Sequence, residues 1–449
     1  MKIGLVLYPI QDLGGIISHV ENLASGLKEL GHEVGFHILY WQRTFFNSSS
    51  DKEILKQKGW TYGNFCAVHQ MNGWNAKPYE HKLSYLGEEN LEYTKEKLSQ
   101  YDLIIWEVPV PSKSKNNEGN HRWTELYDVC PKNIAIVHDG NLFNIPWICE
   151  IKEKLVGIAC VHECAFNLAK SLDIPRALIL NPQNLIGLEN VYDYHKREQG
   201  FLSVQIFKGW KRADDLIRSI PYLSKGIRKV LAGGGIEQRY MVSKDKVKEK
   251  YLCRRVDDPD LPIHFENNRV KIWNRALWNG MEWNGIISPF RRDIFLRTLR
   301  TSVDPSWSLR YSKHGSHFNR VTVEAMMQGN IPLATNLGMS NNLEGNGLLF
   351  KPNENYIMIP YDFSPKDYAG IIEYANNLET DFALKIIENN YELLTNFDRR
   401  QVAQDFINLS EKKGCGFLGK RFQGKLDENL KTASDEIMAN FFGSGKFKG

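Results

Sequence analysis

Four short stretches of this chain place glycine or charge where a phosphorylated ligand can be handled. Gly14 and Gly15 follow an apolar run and precede an amphipathic one, so backbone amides and the positive end of a helix can face an anion with no Cβ in the way. Lys208 and Gly209, in FKGWKRADDL, again follow an apolar run. A lysine there can neutralise a departing diphosphate, the main electrostatic demand when a bond to phosphate breaks. Gly233 and Gly234, in VLAGGG, leave room for a nucleotide base or a second backbone. Glu324, in SHFNRVTVEAMMQGNIPLATNLG, falls in the first turns of a helix that opens after a polar loop. Its carboxylate can accept hydrogen bonds from ribose hydroxyls, with the backbone of Phe318, Asn319, Arg320 and Val321 beside sugar and phosphate. Each stretch also has a purely structural reading: a tight strand-helix turn, a surface lysine, a close backbone approach, a glutamate stabilised by the helix dipole.

Charge is unevenly spread. The net charge is only +4, yet between Phe290 and Arg320 stand Arg291, Arg292, Arg297, Arg300, Arg310, Lys313 and Arg320 against Asp293 and Asp304. Such a stretch suits nucleotide phosphates or a nucleic-acid backbone, or is a solvated helix face. Lys211, Arg291, Arg292, Arg310 and Lys313 are the candidate phosphate or DNA contacts. Asp257, Asp258 and Asp260 lie in a charged loop and read as solvated, so no metal is expected.

These residues need a scaffold. Lys2 to Tyr8 reads as a buried parallel strand; Ile16, Val20, Leu23, Leu27 and Leu30 recur at helical spacing; GHEVGFHILY gives a second strand. Strand, glycine turn, helix and strand make a βαβ unit. YDLIIWEVPVP, KNIAIVHDG, VGIACVHE and ALILNP continue the series. After a polar link, Tyr192 to Gly200, a second series starts: FLSVQIF, a helix from Arg212 to Leu223, KVLAGGG, a helix from Arg291 to Leu299, TSVDPS, a helix from Val321 to Gln328, and IPLATN. Beyond Phe363 the chain reads as helical to about Leu409, then a Gly/Lys-rich link and a last helix from Leu426 to Phe442. Residues 45 to 100, and Lys244 to Asn284 with Trp273, Trp278 and Trp283, fit neither series.

The expected architecture is α/β, with two doubly wound Rossmann-like domains (1–191 and 192–395) facing a central cleft, and C-terminal helices with a basic tail over 396–449. A ligand belongs at the carboxyl ends of the strands. The length of 449 residues agrees, being more than one core usually supports. With 42% apolar and 24% charged residues and no uninterrupted apolar run of about 18, the chain reads as soluble. MKIGLVLYP runs directly into a loop and lacks the apolar region of a signal peptide, so a cytoplasmic protein is expected. Seven cysteines without a CxxC pair argue against a disulfide framework or structural zinc and read as buried thiols.

The order of the four signals resembles the large retaining GT-B glycosyltransferase family that uses nucleotide-sugar donors. Its pattern is GG near the start, a histidine at a strand end of the first domain, KG after the first strand of the second, a G-G turn, and an E-x7-E segment before a glycine and a proline. Here these positions are Gly14 and Gly15, His138 with Asp139, Lys208 with Gly209, Gly233 with Gly234, and Glu324 followed by Gly329 and Pro332. The resemblance covers residues 1 to about 395. Two positions depart from it: the first glutamate falls on Ser316, and the arginine that usually precedes the KG lysine is absent from FLSVQIF. The remaining contacts would then be rebuilt with Lys211, Arg310 or Arg320. Loss of that glutamate, with DLIIWEVPVPS, NIAIVHDG and RYSKHGSHFNRVTVEAMMQGNIPLAT, resembles the phage DNA α-glucosyltransferases that act on hydroxymethylated cytosine.

The resemblance implies a UDP-sugar donor with no further cofactor, retention of configuration, and a hydroxymethylated pyrimidine in double-stranded DNA as acceptor. It also implies a monomer in the host cytoplasm, with His138 and Asp139 facing the acceptor. Glu21, on the first helix, is a further candidate for the acceptor side. Two other readings stay open: a transferase building a cell-surface polysaccharide or glycolipid, and a non-catalytic DNA-binding protein on the same scaffold.

Overall fold

The run KIGLVL forms β1 (Lys2–Leu7), which carries only apolar residues and glycine after Lys2 because parallel strands flank it on both edges. The structure, a computed structural model, describes residues 1–7, 15–38, 92, 95–107, 120–137, 148–149, 151–161, 169–185, 194–205, 211–233, 265–285, 287, 289–306, 320–335, 350–359 and 364–411. Of these, 1–184 and 396–411 form one compact unit and 185–395 the other.

In the first unit β1 is followed by α1 (Gly15–Glu29), β2 (Glu33–Ile38), β3 (Leu103–Trp106), β4 (Asn133–Val137), β5 (Gly157–Cys160) and β6 (Arg176–Leu178). Among the described residues they make one parallel sheet in the order β2-β1-β3-β4-β5-β6. Every residue of β3, β4 and β5 is buried, and α1 turns Val20, Leu23, Ala24 and Leu27 to the core, as its spacing predicts.

In the second unit lie β7 (Glu198–Val204), α2 (Ala213–Ser219), β8 (Arg228–Ala232), α3 (Phe265–Trp278), β9 (Met281–Trp283), α4 (Pro289–Thr298), β10 (Leu299–Asp304), α5 (Arg320–Met327), β11 (Ile331–Ala334), β12 (Ile357–Met358), α6 (Pro365–Asn376) and α7 (Thr380–Leu394). Its parallel sheet runs β12-β11-β10-β7-β8-β9. The fold is α/β, built as two doubly wound units.

The chain then returns to the first unit through α8 (Arg399–Ser410), which packs on α1 and β5. Asp398 caps α8 by accepting from the Arg400 and Gln401 amides at 3.0 and 3.1 Å, and Arg399 pairs with Glu29 of α1. The helices come close because Gly26 has no side chain: a Cβ there would lie 2.7 Å from the Arg399 carbonyl carbon and nearer still to its oxygen. Gly26→Ala gains roughly 1 kcal/mol of helix propensity but forces two backbones apart at a cost of about 1–3 kcal/mol. The clash wins, so the variant is expected to melt lower and to lose protease resistance first in α8.

Three expectations need correction. From Tyr194 onward the polar link belongs to the second core: Tyr194 is buried with its hydroxyl donating to the Ala375 carbonyl at 3.4 Å, and β7 already begins at Glu198. The tryptophan-rich stretch holds α3 and β9; Trp273 is buried and meets Trp283 edge-on at 5.8 Å, whereas Trp278 is 85% exposed. Cys130 and Cys160 are buried thiols, but Cys149 is exposed because its neighbour Ile148 takes the inward position. The last helix from Leu426, most of 45–100, and Asp257, Asp258 and Asp260 lie outside the described residues.

Candidate functional site

In the second unit the chain steps from β7 to β8 and β9 on one side, then restarts at β10 on the other side of β7. The connections leaving β7 and β10 therefore diverge, and a crevice opens at their carboxyl ends. Gln205 follows β7, Gly233 follows β8, Ser306 lies just past β10 and Thr335 follows β11. The Asp304 carboxylate accepts from the Ser306 hydroxyl at 2.5 Å and from Thr322 Oγ1 at 3.4 Å, tying the end of β10 to the first turn of α5.

Glu324 sits on α5, 8% exposed. Arg292 of α4 donates to its Oε2 at 2.5 Å and Arg320, one turn earlier on α5, donates to its Oε1 at 2.9 Å. Both oxygens thus carry a guanidinium, and each keeps a second lone pair for another donor. Arg292 also pairs with Asp293. Arg197, which the sequence did not single out, is buried and donates to the carbonyls of Leu296, Gln328 and Gly329. It caps the ends of α4 and α5 and so holds Arg292 and Glu324 in register.

Gly233 has φ of +140°, and a Cβ there would overlap the Gln205 carbonyl. Its amide donates to Gly285 O at 2.8 Å, while the Gln205 amide donates to Ala232 O at 3.1 Å. The strand ends are thereby locked together with the backbone laid bare, as the sequence anticipates for this glycine. Lys211 is buried just before α2, and Arg212 adopts a left-handed conformation (φ 51°) with its guanidinium on Asp215 at 2.7 Å.

The arginine-rich stretch divides. Arg300 is spent on the carbonyls of Arg197 and Asn376, and Arg297 on Gln328. Arg291 is exposed, donates to Asn284 at 2.8 Å and lies over the Phe295 ring. Arg292 and Arg320 face Glu324. Lys208, Gly209, Gly234, Arg310, Lys313, Phe318 and Asn319 lie outside the described residues, but Arg320 and Val321 open α5.

In the first unit the strand order reverses between β1 and β3. Gly15 is the first residue of α1, Glu21 is half-buried on that helix, and His138 and Asp139 follow β4 outside the described residues, as does Gly14 before α1. At the end of β3 the structure shows a pair that sequence reasoning missed. His19 and Glu107 are each 2% exposed; His19 Nδ1 is 2.7 Å from Asn181 Oδ1 and its Nε2 is 3.7 Å from Glu107 Oε2. A carboxylate closing an apolar strand and a histidine four residues past Gly15 were the available signals. Together they pin α1 to the strand ends beside the first unit's crevice.

Among the described residues no group of three His, Cys, Asp or Glu could hold a metal ion, and no helix is long and apolar enough to cross a membrane.

No family model and no curated protein matches this sequence. Solved structures do match, over nearly their whole length. HepE from Anabaena, in complex with UDP-glucose, has a TM-score of 0.59 at 13% identity, covering 92% of this chain and 99% of that one. TarM from S. aureus, in complex with fondaparinux, alpha-GlcNAc-glycerol and UDP, has a TM-score of 0.60 at 11% identity, covering 91% and 99%. An alpha-glucosyltransferase in complex with UDP and a 13-mer DNA containing an HMU base has a TM-score of 0.58 at 13% identity, covering 92% and 99%. The chain has the GT-B fold. In GT-B terms the first unit is the N-terminal half and carries His19 and Glu107, while the second is the C-terminal half and carries Gln205, Gly233 and Glu324.

Proposed function

We propose that this protein is a glycosyltransferase that moves a sugar from a UDP-sugar to a hydroxyl acceptor. The observation that carries the reading is the crevice of the second unit. The end of β8 at Gly233 is bare and locked to Gln205, and on α5 of the same unit the buried Glu324 keeps lone pairs free between two arginines. That combination suits ribose hydroxyls and phosphate together. The likeness to GT-B proteins holding UDP or UDP-glucose supports it.

In this reading Glu324 accepts from the ribose, and Lys208 with the α5 N-terminus balances the diphosphate. As the bond from the anomeric carbon to phosphate breaks, the acceptor oxygen bonds to that carbon and its proton passes to the leaving phosphate, with retention. Glu21, His138 and Asp139 orient the acceptor. The acceptor we propose is a 5-hydroxymethylated pyrimidine in double-stranded DNA, supported by the departures at Ser316 and in FLSVQIF and by the likeness to a transferase crystallised on DNA. An acceptor in a cell-surface polysaccharide or glycolipid is the competing reading, favoured by the equal likeness to HepE and TarM.

One experiment separates them. The protein is incubated with UDP-sugars and hydroxymethylated or plain duplex DNA, which is then digested to nucleosides for mass spectrometry. A sugar-bearing hydroxymethyl nucleoside, absent from plain DNA, is expected. Consumption of UDP-sugar with no nucleoside product moves the acceptor to another hydroxyl. Absence of any UDP-sugar binding by calorimetry removes the transferase reading altogether.

A further inference from the structure

Gln205 is the first residue after β7, at the point where the strand order of the second unit reverses. Its backbone is held on both sides: the amide donates to Ala232 O at 3.1 Å, and the carbonyl lies against the bare backbone of Gly233. Its side chain is buried, 7% exposed, and its Nε2 donates to Ser203 Oγ, two residues back on the same face of β7, at 3.1 Å. Its Oε1 has no hydrogen-bond partner among the described residues.

Buried polar groups almost always find a partner, and one that lacks it at a ligand crevice calls for a partner from the ligand. An amide oxygen accepts from O–H or N–H and repels phosphate oxygens. Because FLSVQIF holds no arginine, Gln205 places a neutral acceptor at the end of β7. The phosphates are therefore left to Lys208 and the N-terminus of α5, and the ribose to Glu324. The hydroxyl-rich part that remains is the transferred sugar. We infer that Gln205 Oε1 accepts a hydrogen bond from a hydroxyl of that sugar, which makes Gln205 a residue that determines which UDP-sugar is used. The inference rests on the UDP-sugar reading above.

The test is titration of the full-length protein with UDP and, separately, UDP-glucose, for the native chain and Gln205→Leu. The leucine variant loses about tenfold or more in affinity for UDP-glucose, because a buried sugar hydroxyl is left without its acceptor, and stays within about twofold for UDP. Retained UDP binding also reports that the variant is folded. A glucose donor lacking the contacted hydroxyl should bind the native protein as weakly as the intact donor binds Gln205→Leu. Equal losses for UDP and UDP-glucose would overturn the assignment, since Oε1 would then face the nucleoside. Unchanged affinity for both would overturn it as well. A native protein that binds neither ligand fails the donor reading itself and takes this inference with it.

Discussion

Glu324→Ala is expected to unsettle the second unit and to remove donor binding, through two separable effects. The first is electrostatic. The Arg292, Arg320 and Glu324 side chains are 18%, 13% and 10% exposed, so the alanine variant leaves two poorly hydrated guanidinium groups without the carboxylate between them. Breaking a buried pair from one side costs about 3–5 kcal/mol, and partial exposure places this case near 3. The second is recognition. Two charge-assisted hydrogen bonds to ribose, at about 1.5 kcal/mol each, amount to about a hundredfold in UDP affinity. Urea denaturation measures the one and calorimetry the other.

A double variant tells them apart. Replacing Arg292 by methionine and Glu324 by leucine leaves one guanidinium, that of Arg320, where Glu324→Ala leaves two, so part of the lost stability should return while UDP binding stays lost. If Glu324→Ala folds and binds UDP as the native protein does, the donor does not sit at the start of α5.

The sequence was most readable where one strand or one helix decides its own burial. Residues 3–6 of β1 and all of β3, β4 and β5 are buried and show as largely apolar runs, and α1 shows a helical period because one stripe faces the core. Glycine at the end of β8 was readable for a similar reason, since the local backbone demands it. What escaped was set by tertiary partners. β12 has two residues, too few for any period. α3 carries FENNRVKIWNRALW, in which buried Trp273 and exposed Trp278 are the same residue type.

The same limit applies to the site. Arg292 and Glu324 meet across 32 positions, and His19 reaches Glu107 from a different element. Arg197 reads as part of a polar link because its role, capping two helix ends, exists only after those helices have packed. A charged cluster in the sequence therefore marked the stretch that holds Arg292 and Arg320 but not the carboxylate they share. Of the arginines after Phe290, Arg300 supports carbonyls and Arg292 supports a carboxylate, while Arg291 remains on the surface.

Gly233→Ala is expected to have the largest effect of any single methyl in the second unit. With φ at +140° the backbone lies where side-chain-bearing residues are strained by about 1–3 kcal/mol. The added Cβ would also lie 2.8 Å from the Gln205 carbonyl carbon and nearer to its oxygen, and a backbone carbonyl at a strand end cannot rotate away. Relief requires parting β7 from β8, which breaks the bonds from Gln205 N to Ala232 O and from Gly233 N to Gly285 O. At about 1 kcal/mol each these bring the total to about 3–5 kcal/mol, a large share of the roughly 5–15 kcal/mol that holds a domain folded. Because the sheets belong to separate units, the loss should be local. Hydrogen exchange read by mass spectrometry should show protection falling in peptides of β7, β8 and β10 and holding in those of β1, β3 and β4. UDP binding should vanish with it. Unchanged protection across β7 and β8 would mean that this glycine serves the ligand's approach alone, and a UDP titration of the same variant would then show the loss without the unfolding.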